Sequence, residues 1–213
     1  PTSLHLHGGV TEPASDGHPE LISLPCQGHV HHFGNRQDAT GLWYHDHAMP
    51  ITRLNVHGGL AGGYLLRDRW DTGRADNPLG LPAGEYELPL ILQEKIMNAD
   101  GSASMRSTPI VPQGHWEGGA VGDVGVVNGK IWPTAEVARG LYRLRMVNAA
   151  SFSNWMLHLS KPLPMWVIGM EGGLLPGPAK VDRFRLAPGE RADVLVDFSA
   201  LAPGETVELL NTE

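Results

Sequence analysis

Two segments place histidines at alternate positions: Leu4-His5-Leu6-His7-Gly8-Gly9 and Leu42-Trp43-Tyr44-His45-Asp46-His47-Ala48. On a β-strand alternate side chains share a face, and their Cα atoms lie roughly 6.5–7 Å apart. His5 and His7 then point one way and Leu4 and Leu6 the other. That spacing suits ligands of two adjacent metals or a chelate of one. The second segment repeats the pattern, with His45 and His47 on one face, Trp43 on that face as a wall, and Tyr44 and Asp46 turned away. Two such strands, if neighbours, bring four imidazoles to one space, and neutral imidazole suits Cu, Zn, Fe and Ni. The bland alternative is a pair of polar sheet faces with solvated histidines. The apolar Leu-Trp-Tyr beside the second pair argues against it, because burying an unpaired imidazole is costly. Gly8 and Gly9 remove side-chain bulk at the strand end and permit close approach of another group.

The elements that must position these residues are strands. The chain has 213 residues, with 41% hydrophobic and 18% charged, a globular profile. Its 27 glycines and 17 prolines punctuate it into many short segments. Period-two patterns and short apolar runs predict strands at 3–7, 29–33, 42–47, 63–67, 86–93, 141–148, 155–159, 165–169, 183–186, 192–198 and 206–210, with one helical turn within 49–56. This is an all-β reading, most simply β-sandwiches. The polar, Gly- and Pro-rich stretch 71–84 reads as a linker between a first unit, 1–70, and a second, 85–213. Nine of the eleven histidines precede it; only His115 and His158 follow. The chemistry belongs to the first unit and the second reads as scaffold, with Trp132, Trp155, Met156 and Trp166 in its core.

A net charge of −7 argues against a nucleic-acid or anionic-membrane partner. No apolar stretch is long enough to span a bilayer, and a single cysteine excludes an internal disulfide. The start at Pro1-Thr2, without Met and almost within a strand, and the abrupt end at Glu213 lead us to expect an internal fragment.

The residues LHLHGG (4–9) and GLWYHDHAMPITRLNVHGGLAGGYLLRD (41–68) resemble the first domain of bacterial three-domain multicopper oxidases, in the branch of spore-coat laccases, phenoxazinone synthases and bilirubin oxidases. The segments VNGKIWP (127–133), YRLRMVNAAS (142–151), GMEGGLL (169–175) and LAPGERADVLVDF (186–198) resemble that branch's second domain. The resemblance implies tandem cupredoxin-like Greek-key β-sandwiches, the first incomplete. It implies His5 as a type 2 copper ligand, His7 and His45 as ligands of one type 3 copper, and His47 as a ligand of the other. It places Asp16 where a carboxylate steers protons near the type 2 copper and its water, although Asp16-Gly17 is also a good turn. It implies a laccase-like oxidase that takes electrons from phenols or aromatic amines and reduces O2 to water.

In that family the other cluster ligands, and a type 1 copper held within a His-Cys-His motif, come from a third domain, and no such motif occurs here. This chain is thus expected to supply half the cluster and to be inactive alone. Cys26 has no flanking histidine and is read as a loop thiol. His29, His31 and His32 are an exposed strand edge or an adventitious metal site. His18 is a turn residue, His57 packs locally, and Asp46 makes a structural hydrogen bond. The rivals are a cupin, on His5, His7 and Glu12; an amidohydrolase barrel, which needs helices this sequence lacks; and a non-catalytic copper-binding β-sandwich. No compartment is assigned: spore coat, periplasm and secretion all fit.

Overall fold

The computed structural model describes residues 1–105 and 121–212, so His115 lies outside the described residues. The first segment contributes β1 (Leu4–His7), β2 (Gly41–Asp46), a short helix α1 (Thr52–His57) and β3 (Ala61–Leu65). These strands form one antiparallel sheet in the order β1-β2-β3. The rest contributes β4 (Glu87–Lys95), β5 (Val124–Val127), β6 (Lys130–Ile131), β7 (Leu141–Asn148), β8 (Trp155–Leu159), β9 (Met165–Met170), β10 (Gly173–Val181), β11 (Arg183–Leu186), β12 (Arg191–Asp197) and β13 (Leu209–Asn211). Seven of them pair in the order β10-β9-β12-β7-β4-β5-β6, and β11-β8-β13 form a second, smaller sheet. Only β4 and β7 run parallel; the other described pairs are antiparallel.

Alternation builds the main core. Tyr142, Leu144 and Met146 of β7 and Ala192, Val194 and Val196 of β12 share one face and pack on Trp155, Leu157 and Leu186 of the smaller sheet. The opposite face of the same strands carries Arg143, Arg145 and Asp193, all buried. Buried charges need partners, and Asp71 and Glu87 of β4 provide them, with Arg67 of the first segment joining in. Arg143 Nη2 donates to Asp71 at 2.8 Å and its Nε to Asp193 at 2.8 Å. Arg145 donates to Asp71 and to Glu87, each at 2.6 Å, and Arg67 donates to Glu87 at 2.7 Å. The stretch 71–84 has no strand, but its first residue is locked into this ion cluster. A small cluster of Trp43, Val56, Val147 and Ala149 joins the first sheet to the end of β7.

Several strands differ from the sequence expectation. Residues 29–33 form no ladder, because the His32 N–H donates to the Ser15 hydroxyl rather than to a strand. The strand β10 escapes the pattern because Pro176 and Pro178 interrupt it; it is an edge strand, where prolines are tolerated. Trp132, expected in the core, is 69% exposed beside the two-residue strand β6. No helix among the described residues is long and apolar enough to cross a membrane.

Candidate metal centre

β1 and β2 pair antiparallel with His5 directly opposite His45 and His7 opposite Trp43. The His47 N–H donates to the Ser3 carbonyl at 2.7 Å, which extends the pairing past β2. Side-chain direction therefore carries through, and the four rings meet. Ring centroids are 5.4 Å apart for His5–His45 and for His7–His45. They are 4.8 Å apart for His5–His47 and 5.7 Å for His45–His47. One nitrogen each of His5, His7 and His45 lies within 4.8 Å of the others. Asp46 turns away from the rings; its carboxylate accepts from the Ser3 N–H at 2.8 Å and the Ala48 N–H at 3.1 Å, pinning the ends of both strands.

Hydrogen bonds set which nitrogen each ring presents. His5 Nδ1 donates to the Asp16 carbonyl at 2.6 Å, and His45 Nδ1 to its neighbour's carbonyl, Asp46 O, at 2.7 Å. A carbonyl only accepts, so both protons sit on Nδ1 and both Nε2 atoms keep lone pairs. This is the support that metal-binding histidines ordinarily have. His7 Nδ1 lies 3.2 Å from His45 Nε2, where without metal it donates a hydrogen bond to the Nε2 lone pair. Two nitrogens each about 2.0 Å from one tetrahedral ion lie about 3.3 Å apart, so one ion fits between them. His47 Nδ1 is buried, and the Gly17 backbone is a hydrogen-bonding neighbour of this ring. Burial, then the Arg191 charge and the other imidazoles, pushes His7 down to about 4. Burial likewise lowers His45 to about 4, against an opposing hydrogen bond to the Asp46 backbone. Burial and then the His5 charge lower His47. These rings stay neutral near pH 7, the form that binds metal. The donor set and its spacing fit a metal such as copper.

Asp16 stands beside this cluster. Its Oδ1 is 3.4 Å from His5 Nδ1, but the shorter contact is its carbonyl, and the side chain is half-exposed. Trp43 walls the site as expected from its face, stacked on His7 at 5.2 Å and 4.2 Å from His45. Cys26 is exposed and outside the cluster. His57 is buried, with Nε2 donating to the Ser104 carbonyl at 2.8 Å.

Sequence reasoning missed two contributors, Gly189 in the turn before β12 and Arg191 at the start of that strand. A Cβ on Gly189 would lie 2.9 Å from His7 Cε1, so this glycine lies directly against the His7 ring. The Arg191 guanidinium occupies the space a side chain at Gly8 would need; it pairs with Glu171 and donates to the Gly41 carbonyl at 3.3 Å. The open space expected at Gly8 is thus filled from the other end of the chain. Gly189→Ala should displace His7 and weaken copper binding by about 10–100-fold, the range for losing a ligand's support. Gly204→Ala is the control. Both positions have left-handed backbone (φ +85° and +78°), but nothing lies within 4 Å of a Cβ at 204. The control should lose stability and keep copper affinity; calorimetric titration and thermal melting read the two effects.

A family model described as multicopper oxidase matches residues 90–205. A laccase of Bacillus subtilis (strain 168) is 39% identical over 99% of this chain and 42% of its own length. A bilirubin oxidase of Albifimbria verrucaria is 37% identical over 99% of this chain and 36% of its own. The crystal structure of a multi-copper oxidase from Pediococcus acidilactici superposes with a TM-score of 0.87 at 33% identity, over 99% of this chain and 43% of that one. The chain thus spans less than half the length of these relatives.

Proposed function

Because this chain belongs to the multicopper oxidase family, we propose that it supplies half the ligands of a trinuclear copper cluster in a laccase-like oxidase. The fold is nearly all-β and cupredoxin-like, and copper is the metal that membership implies. We read residues 1–70 as part of a first cupredoxin-like unit that carries the ligands, 71–84 as the connection, and 85–213 as a second unit without ligands. A third such domain would bring the remaining ligands and the type 1 copper. The substrates are O2 and a small phenol or aromatic amine.

The observation that carries this reading is the 3.2 Å separation of His7 Nδ1 and His45 Nε2, which suits two ligands of one type 3 copper. His47 would hold the other type 3 copper and His5, through Nε2, the type 2 copper. When bound, copper supplies one-electron redox chemistry for the reduction of O2 to water. The chain's own residues orient and shield it. The Asp16 and Asp46 carbonyls hold the protons of His5 and His45 on Nδ1, while Trp43 and the turn at Gly189 fix His7. Asp16 Oδ1, half-exposed and near His5, can hold a proton between solvent and the cluster.

An oxygen electrode tests this on the longer protein that contains this chain and the third domain. With a phenol or aromatic amine it should consume one O2 per four substrate electrons without accumulating hydrogen peroxide. Copper-replete protein with no O2 uptake, or with peroxide as the product, would reject the reading.

A further inference from the structure

Three successive carbonyls of one turn each accept a histidine ring N–H. Ala14 O faces His29 Nε2 at 3.2 Å, Ser15 O faces His31 Nδ1 at 3.0 Å, and Asp16 O faces His5 Nδ1 at 2.6 Å. The third of these belongs to the cluster described above. The first two do not, and backbone acceptors fix their tautomers in the same way. A carbonyl cannot donate, so His29 carries its proton on Nε2 and His31 on Nδ1. His29 Nδ1 and His31 Nε2 are left with lone pairs.

The two rings are neighbours, edge to face, with centroids 4.7 Å apart. That is closer than His5 and His45, at 5.4 Å. They are also held in place. Ser15 is buried, and its hydroxyl accepts from the His32 N–H at 2.9 Å, fastening the loop to the turn. His31 stacks on Phe33 at 5.8 Å. His29 is exposed and His31 half-buried, so the pair opens to solvent. Ligands whose protons are fixed by backbone acceptors, and whose loop is already ordered, lose little freedom when they bind an ion.

We infer that His29 and His31 form an accessory site for a single copper ion, separate from the trinuclear cluster. Two neutral imidazoles with open positions for water bind first-row divalent ions, and Cu2+ heads the affinity order at such nitrogen donors. The inference rests on this pair and not on the cluster reading.

Equilibrium dialysis of the 213-residue chain against micromolar free Cu2+ tests it, with electron paramagnetic resonance on the same samples. The His29→Ala/His31→Ala variant should hold one copper fewer per chain than the unaltered protein. It should also lose a signal split by two imidazole nitrogens. Both rings tie the loop to the turn, and His31 also stacks on Phe33, so thermal melting should drop modestly, while the His32 N–H bond to Ser15 keeps the loop attached. His32→Ala should keep the extra copper, because only its backbone is engaged. A His5→Ala/His45→Ala variant should keep it too, which separates this site from the cluster. Equal copper in the unaltered and His29→Ala/His31→Ala proteins would overturn the inference, and so would loss of the extra ion in His32→Ala or in His5→Ala/His45→Ala.

Discussion

Replacing His45 by Ala in the longer protein should strip copper from the cluster and lower O2 consumption by more than ~100-fold. Disturbing a group that merely supports a ligand costs about 10–100-fold, and His45 is proposed as a ligand itself. It also sits at the middle of the constellation. Its ring faces those of His5, His7 and His47 at 5.4–5.7 Å, and its Nε2 is the atom opposite His7 Nδ1. Removing it takes one of the two nitrogens that suit a shared ion. The backbone pairing of β2 with β1 and β3 does not involve this side chain. The loss of packing against Trp43 should therefore cost only about 1–2 kcal/mol. Copper analysis, oxygen uptake and thermal melting on one preparation separate a lost ligand from a lost fold. His18→Ala, an exposed turn residue, should change none of the three. Near-normal turnover by the His45→Ala protein would remove this residue from the copper site.

The largest effect on stability should come from Asp71→Ala, about 3–5 kcal/mol of destabilisation by urea unfolding, the usual cost of breaking a buried ion pair by removing one partner. Asp71 is 1% exposed and accepts from Arg67, Arg143 and Arg145 together. Its loss leaves Arg145 with Glu87 as its close partner, because the contact to Asp193 is 3.7 Å. The same carboxylate has a pH signature. Burial alone would raise Asp71, but the hydrogen bonds and charges of Arg143 and Arg145 outweigh it and hold the carboxyl down at about 2. A group with a depressed folded-state pKa adds stability above its unfolded value and loses it as pH falls through the folded one. The Asp71 contribution, on the order of 2–3 kcal/mol, should be full above about pH 4 and fade towards pH 2. In Asp71→Ala that part of the acid dependence should be gone. Parallel acid profiles for the two proteins would contradict the assignment.

What was legible in the sequence was whatever depended on short-range periodicity. Alternation alone put His5 with His7 and His45 with His47, turned Asp46 away, and placed Trp43 as a wall, because the two-residue repeat of a strand fixes direction without knowledge of the fold. The strands 141–148 and 183–186 were legible for the same reason. Long-range contacts were not. Nothing near Gly189 or Arg191 marks them as neighbours of His7, since 181 residues separate Gly189 from that ring and only sheet docking unites them. Asp71 reads as the start of a polar linker because its partners, Arg143 and Arg145, lie on the rear face of β7. Residues 29–33 have a strand's composition, but hydrogen bonds to the turn at Ala14–Asp16 take the place of ladder partners. Trp132 has a core residue's chemistry but follows a two-residue strand too short to bury it.

The most direct measurement is an anomalous difference map, recorded at the copper absorption edge, from crystals of the copper-loaded longer protein. Copper should scatter among the rings of His5, His7, His45 and His47, with one ion bonded to both His7 and His45. Copper located elsewhere, or bonded to neither of those two rings, would contradict convergence of the four imidazoles on a shared cluster.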